Sequence, residues 1–106
     1  MPEMHFRVEW PNGKVERCYS PSYVVEEHLS VGSTYSVTDF VARARTALEI
    51  GSERVREKYG FACSSALDQL RAIEETASSL GAAERAGNVR VLEFEKHAPR
   101  DARKSG

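Results

Sequence analysis

The stretch MHFRVEWPNGK, residues 4–14, decides how this chain begins to fold. Every second residue from Met4 to Trp10 is apolar, and this period of two predicts a strand with one face on a core and the other in water. Asn12 and Gly13 follow, a pair that marks hairpins because both residues tolerate the positive φ of a two-residue turn. The stretch therefore predicts an N-terminal β-hairpin.

The register of this hairpin depends on the turn. A two-residue turn sets Trp10 opposite Val15, and we expect this register, although it places Glu9 opposite Glu16, an unfavourable pair of like charges. A register shifted by one would instead place Cys18 on the apolar face.

The residues after the hairpin predict a short helix and a loop. Ser20 can cap a helix in which Pro21 takes the first position and which ends near Leu29. Residues 31–37 carry no helical period, so we expect a connecting loop with a brief extended piece around 34–37.

Two longer helices and a last strand follow. The first helix is expected to run from an N-cap at Thr38 to Tyr59, since one stripe at 100° per residue collects its apolar side chains. These are Phe40, Val41, Ala44, Ala47, Leu48, Gly51, Val55 and Tyr59. Gly60 should end this helix in a left-handed conformation. A second helix, capped by Ser64 or Ser65, should bury Ala66, Leu67, Leu70, Ile73, Ala77 and Leu80 and end at Gly81. Residues 89–94 then suit a strand.

The predicted fold class is α+β, with the element order ββαααβ. The hairpin and the C-terminal strand should form a three-stranded, mostly antiparallel sheet, packed on one face by an αα-hairpin and the short helix. Residues 1–96 are expected to be one domain, and residues 97–106 a mobile, charged tail.

Composition narrows the function classes. Fifteen Lys and Arg residues stand against sixteen Asp and Glu residues, so there is no global positive charge to favour nucleic acid. The basic segment 54–64 joins two helices as a DNA-reading motif would, but acidic residues offset its charge, and we expect no nucleic-acid binding. No apolar run is long enough to span a membrane, and the N-terminus lacks an export signal, so we expect a cytoplasmic protein.

No pattern of residues announces catalysis or a metal site. Cys18 lies just before a predicted helix start, where a thiol can become reactive, and it is the one weak candidate for a nucleophile; packing is the simpler interpretation. His5, His28 and His97 do not share a metal-binding spacing with each other or with Cys63, and we expect no metal and no cofactor. The chain is expected not to be an enzyme.

Several segments resemble one family of small bacterial proteins, the nitrogen-starvation-response family encoded in gene clusters centred on a nitrilase. The segments that carry the resemblance are Met1-Pro2-Glu3-Met4, Trp10-Pro11, Cys18-Tyr19-Ser20-Pro21-Ser22, Asp39-Phe40-Val41-Ala42-Arg43 and Arg54 to Ser64. The resemblance extends to about Phe94, and it implies a role in scavenging nitrogen from nitriles or cyanide. It implies no catalytic residue.

Two functions follow as hypotheses. The preferred one is a non-catalytic accessory protein that binds a pathway enzyme or a second copy of itself, since a sheet covered on one face could find its other cover in a homodimer. The alternative is a domain or minor enzyme that handles small molecules through Cys18.

Overall fold

The computed structural model describes residues 3–61 and 63–97. Within them the elements follow one another as β1 (Glu3–Glu9), β2 (Val15–Ser20), a 3₁₀ helix (Tyr23–Glu27), β3 (Thr34–Ser36), α1 (Val37–Tyr59), α2 (Ser64–Ser79), α3 (Ala82–Arg85) and β4 (Asn88–His97). The α+β class is confirmed, but the fourth strand of the sheet, β3, and a fourth, short helix, α3, were not predicted, and the short helix after the hairpin is a 3₁₀ helix.

The sheet has four strands in the order β2-β1-β4-β3, and all neighbours are antiparallel. The prediction of three strands was wrong because the segment expected to be mostly loop contains β3, which pairs with β4 through three residues. So short a strand shows almost no alternation of its own, and its backbone hydrogen bonds to β4 define it.

The hairpin adopts the register shifted by one, so the expected register was wrong. Phe6 faces Cys18 and Val8 faces Glu16, while Val15 stands opposite Glu9. The cause is the loop, in which the Gly13 N–H donates to the Trp10 carbonyl at 2.8 Å and the Trp10 N–H donates to the Lys14 carbonyl at 2.8 Å. Within this loop only Gly13 has a positive φ, at 88°, so the loop is a three-residue turn with a glycine bulge.

The core lies between the helices and one face of the sheet, the inner face. Met4, Phe6 and Val8 point to it from β1 and are fully buried. The expected apolar face of β1 is therefore confirmed. β4 supplies Val91 opposite Val8, and a bulge at Leu92, between Val91 and Glu93, keeps Val91 on this face.

The outer face of the sheet is charged. Arg7 of β1 pairs with Glu93 of β4 at 2.9 Å, and Arg17 of β2 pairs with Glu95 of β4 at 2.8 Å. These exposed pairs contribute little to stability, about 0–1 kcal/mol each. They do make this face polar, which suits solvent better than a second apolar layer.

The caps of the helices differ from those expected. The 3₁₀ helix is capped by Ser22 rather than Ser20, and α1 by Ser36 rather than Thr38, with the Ser36 Oγ accepting from the Asp39 N–H at 3.1 Å. Cys63, not Ser64 or Ser65, precedes α2. The end of α1 is as expected, because Gly60 has a φ of 89°.

Two residues assigned to helical core stripes are exposed. Tyr59 is 49% exposed and Leu67 is 40% exposed, whereas Phe40, Leu48 and Ile73 are fully buried. Tyr59 is the last residue of α1 and Leu67 lies in the first turn of α2, so both are near the connection between the two helices.

The proposed division of the chain remains a prediction. We expected His97 to lie in the tail, but its backbone forms the end of β4. Residues 98–106 lie outside the described residues.

Candidate functional site

The fold brings together two of the segments on which the family resemblance rests. Gly51 of α1 lies against Pro21, and a Cβ added to Gly51 would stand 3.1 Å from the proline Cγ. About one helical turn further on, the Arg54 Nη1 donates to the Ser22 Oγ at 3.2 Å. The segment 18–22 is therefore clamped against the second half of α1.

Serine side chains satisfy the polar groups at this junction. The Ser20 Oγ donates to the Ser22 carbonyl at 2.6 Å, and the Ser22 Oγ accepts from the Val24 N–H at 3.2 Å. On α1, the Ser52 Oγ accepts from the Cys63 N–H at 3.3 Å. All three serines are buried, so these hydrogen bonds remove the cost of burying them. These hydrogen bonds stabilise the packing of residues 18–22 against α1.

Cys18, the candidate nucleophile, is fully buried on the inner face of the sheet. It lies within β2 and not at a helix start. Burial, and then the charge of Glu16, raise its pKa well above the ordinary value of a thiol. A high pKa and no access to solvent both oppose nucleophilic attack. The geometry thus fits the packing interpretation of Cys18 better than the reactive one.

Cys63, the other thiol, is half-buried and stands beside Tyr19 at the edge of β2. Burial, the charge of Glu3 and the Cys63 sulfur together raise the pKa of Tyr19 to about 12. The backbone N–H of Tyr19 donates to the Gln69 Oε1 of α2 at 2.9 Å, which closes this part of the sheet edge. Sequence reasoning missed this cluster because Cys63 and Gln69 lie 44 and 50 positions after Tyr19 along the chain.

His5 and His28 lie on separate elements of the fold. His5 lies on the outer face as expected, with its ring edge-on to Tyr19 at 5.7 Å between centroids. His28 caps the 3₁₀ helix. No group of three or more His, Cys, Asp or Glu side chains in residues 3–61 and 63–97 could hold a metal ion.

Three large apolar side chains at and just after the turn from α1 to α2 are exposed to solvent. We call Tyr59, Phe61 and Leu67 the aromatic turn; they are 49%, 67% and 40% exposed. The Lys58 ammonium lies 6.0 Å from the centroid of the Tyr59 ring. Large aromatic side chains left in water are typical of binding surfaces, because their burial against a partner is strongly favourable.

Comparison with known proteins decides the family. The family model described as nitrogen starvation-induced protein NitG matches residues 5–94. The chain belongs to the NitG family. The predicted family is thereby confirmed, and the match assigns the chain to the nitrogen starvation-induced proteins. No curated protein and no solved structure matches the chain.

The NitG match includes both the junction and the aromatic turn. It begins in β1 and ends in β4, so it spans all the elements of the fold.

None of the helices in the described part of the chain combines the length and apolarity that a bilayer crossing requires.

Proposed function

We propose that this NitG-family member is a non-catalytic accessory protein that binds another protein of the nitrogen-starvation response. The aromatic turn is the proposed contact surface. The observation that carries the proposal is the exposure of Phe61, which at 67% is the most exposed of the large apolar side chains in the described part of the chain. Aromatic residues are over-represented among the few side chains that dominate binding at protein interfaces.

The junction next to the aromatic turn supports this role. Gly60 ends α1 in a left-handed conformation, and its N–H donates to the Arg56 carbonyl at 2.7 Å. At the other end of the turn, the Cys63 N–H donates a hydrogen bond to the Ser52 Oγ of α1. Phe61 therefore lies between two backbone positions that are held by hydrogen bonds, and backbone that is already ordered loses less conformational entropy on binding.

The partner we propose is an enzyme of the same response with an apolar pocket for Phe61. The resemblance to proteins encoded beside a nitrilase supports a pathway that recovers nitrogen from nitriles or cyanide. We place the interaction in the cytoplasm, where free thiols such as Cys18 and Cys63 stay reduced.

A second copy of the chain is the other partner to consider. A homodimer was expected to form through the outer face of the sheet, but that face carries the ion pairs Arg7–Glu93 and Arg17–Glu95. Covering these charges would cost desolvation energy, so we propose that self-association, if present, also uses the aromatic turn.

The test compares two exposed apolar residues. Phe61→Ser removes the proposed anchor, whereas Val31→Ser removes an apolar side chain that is 51% exposed and lies before β3, away from the aromatic turn. Tagged wild type and both variants are recovered from nitrogen-starved cells, and the captured proteins are purified and titrated calorimetrically with each form.

We expect a pathway enzyme to bind the wild type and Val31→Ser alike, and Phe61→Ser to bind at least about tenfold more weakly. Equal affinity of all three forms contradicts the aromatic turn as the contact surface. Sedimentation distinguishes self-association from binding to another protein, because a dimer has twice the 11.8 kDa mass of the chain. A monomer that captures no pathway enzyme would overturn the proposal as a whole.

A further inference from the structure

A groove opens at the other end of the helical pair from the aromatic turn. It lies between the start of α1, the second half of α2 and the short helix α3, and it has a volume of about 590 Å³. Val41 and Tyr59 are 18 residues apart on α1, which corresponds to about 27 Å along the helix axis. The groove and the aromatic turn are therefore separate surfaces.

The groove is lined by small aliphatic side chains. Val41 of α1 and Ala77 of α2 contribute half-buried apolar surface, and Val37 of α1 also lines the groove, although it is only 4% exposed. Pockets that hold small organic molecules have volumes of about 300–1,000 Å³, and a predominantly apolar lining with a few polar groups. The size and lining of the groove suit a ligand with a short apolar body.

Cationic groups outnumber carboxylates in the lining. Arg45 and Arg85 both line the groove, and Glu74 is the one carboxylate among the described lining residues. Arg45 donates through Nε at 3.2 Å and Nη2 at 2.7 Å to a single oxygen of Glu74. Within the described part of the chain, no hydrogen bond uses its Nη1.

Arg85 is likewise only partly used. Its Nη2 donates to the carbonyls of Ser78 and Leu80, both at 3.0 Å, at the C-terminal end of α2. These bonds orient the guanidinium, while its Nε and Nη1 make no hydrogen bond to the described residues. Guanidinium groups with donors to spare suit planar carboxylates, which accept two hydrogen bonds at once.

From this arrangement we infer that the groove binds a small organic carboxylate, with its apolar body on Val37, Val41 and Ala77 and its carboxylate against Arg45 and Arg85. The excess of one positive charge in the lining selects for an anion over a neutral molecule or a cation. This inference goes beyond the proposed function and does not depend on it, because it concerns a different surface.

The experiment is an NMR titration of the full ¹⁵N-labelled chain with sodium hexanoate. Hexan-1-ol and hexylammonium chloride keep the apolar body but change the charge, and sodium acetate keeps the charge but removes the body. We expect saturable shifts in the amides of the groove with hexanoate, at least about tenfold weaker binding of hexanol and acetate, and no binding of hexylammonium.

Variants test the two arginines. Arg45→Gln and Arg85→Gln should each weaken hexanoate binding about tenfold, since each loses a charged hydrogen-bond donor. The Arg45–Glu74 pair is exposed, so its loss should leave the fold intact, which circular dichroism checks. Arg71→Gln is the matched control on α2, because Arg71 pairs with Asp68 and does not line this groove.

Three results would overturn the inference. These are the absence of saturable shifts with hexanoate, equal binding of hexanol and hexanoate, and equal losses in the Arg45, Arg85 and Arg71 variants. Phe61→Ser should leave hexanoate binding unchanged, so failure at the groove and failure at the aromatic turn can be told apart.

Discussion

The two thiols should differ widely in their rate of alkylation by iodoacetamide in the folded protein. Cys18 is fully buried on the inner face of the sheet, while Cys63 is half-buried at the start of α2. Reagent reaches Cys18 only when β2 separates from its neighbours. The ratio of the two rates therefore reports how often that opening occurs.

The size of the ratio follows from the cost of opening. Complete unfolding of a small domain costs about 5–15 kcal/mol, and opening of an edge strand such as β2 costs less. An opening that costs about 3 kcal/mol is populated about one part in a hundred and fifty, at 1.36 kcal/mol per factor of ten. We expect Cys18 to react at least about a hundredfold more slowly than Cys63. The raised pKa of Cys18 lowers its rate further.

Peptide mass spectrometry after a time course of alkylation gives both rates in one sample. The control is the same reaction in concentrated guanidinium chloride, where the rates should converge because both thiols are in water. Rates within about threefold of each other in the folded protein would refute the reasoning. That result would mean that the Cys18 side chain is open to solvent, and it would revive the hypothesis of a Cys18 nucleophile.

Three further predictions concern stability, each measured by urea unfolding. Burial raises the pKa of Cys18, so its contribution to stability is intact below the unfolded pKa and lost as the pH rises; the free energy of unfolding should fall by about 1 kcal/mol between about pH 8.5 and about pH 9.5, and an equal fall in Cys18→Ala would contradict this. Gln69→Ala removes the acceptor of the Tyr19 N–H and should cost about 1–2 kcal/mol, whereas Gln69→Glu keeps an acceptor and should cost less; equal costs would mean that the hydrogen bond adds nothing. Gly51→Val should destabilise the chain by about 1–3 kcal/mol because its added atoms meet the buried proline ring, while Ala42→Val, exposed on the same helix, should cost about 0.5 kcal/mol; similar losses would show that the close approach is not tight.

Much of the fold could be predicted because its signals are local. The alternation from Met4 to Trp10 and the stripe that includes Phe40 and Leu48 depend on residues a few positions apart. Gly60 likewise acts through its own φ. These features were confirmed, as was the family, because its motifs are contiguous stretches of sequence.

The register and the fourth strand were decided by longer-range pairing. Asn12-Gly13 indicated a hairpin correctly, but Pro11 and the bulge at Gly13 enlarged the loop to three residues and moved every partner by one. β3 exists only because β4 supplies its hydrogen-bond partners. In both cases the deciding contacts lie outside the window in which periodicity can be read.

The candidate sites show the same division. The sequence indicated Cys18 as the candidate nucleophile, but its burial depends on the assembled sheet. The contact of Tyr19 with Cys63 and the groove between α1, α2 and α3 join residues that are far apart along the chain. By itself the sequence determined the family, the hairpin and the two long helices, because each depends on neighbouring residues. Only the tertiary structure decided which side chains are exposed or brought together, because burial and proximity depend on all the elements packing at once.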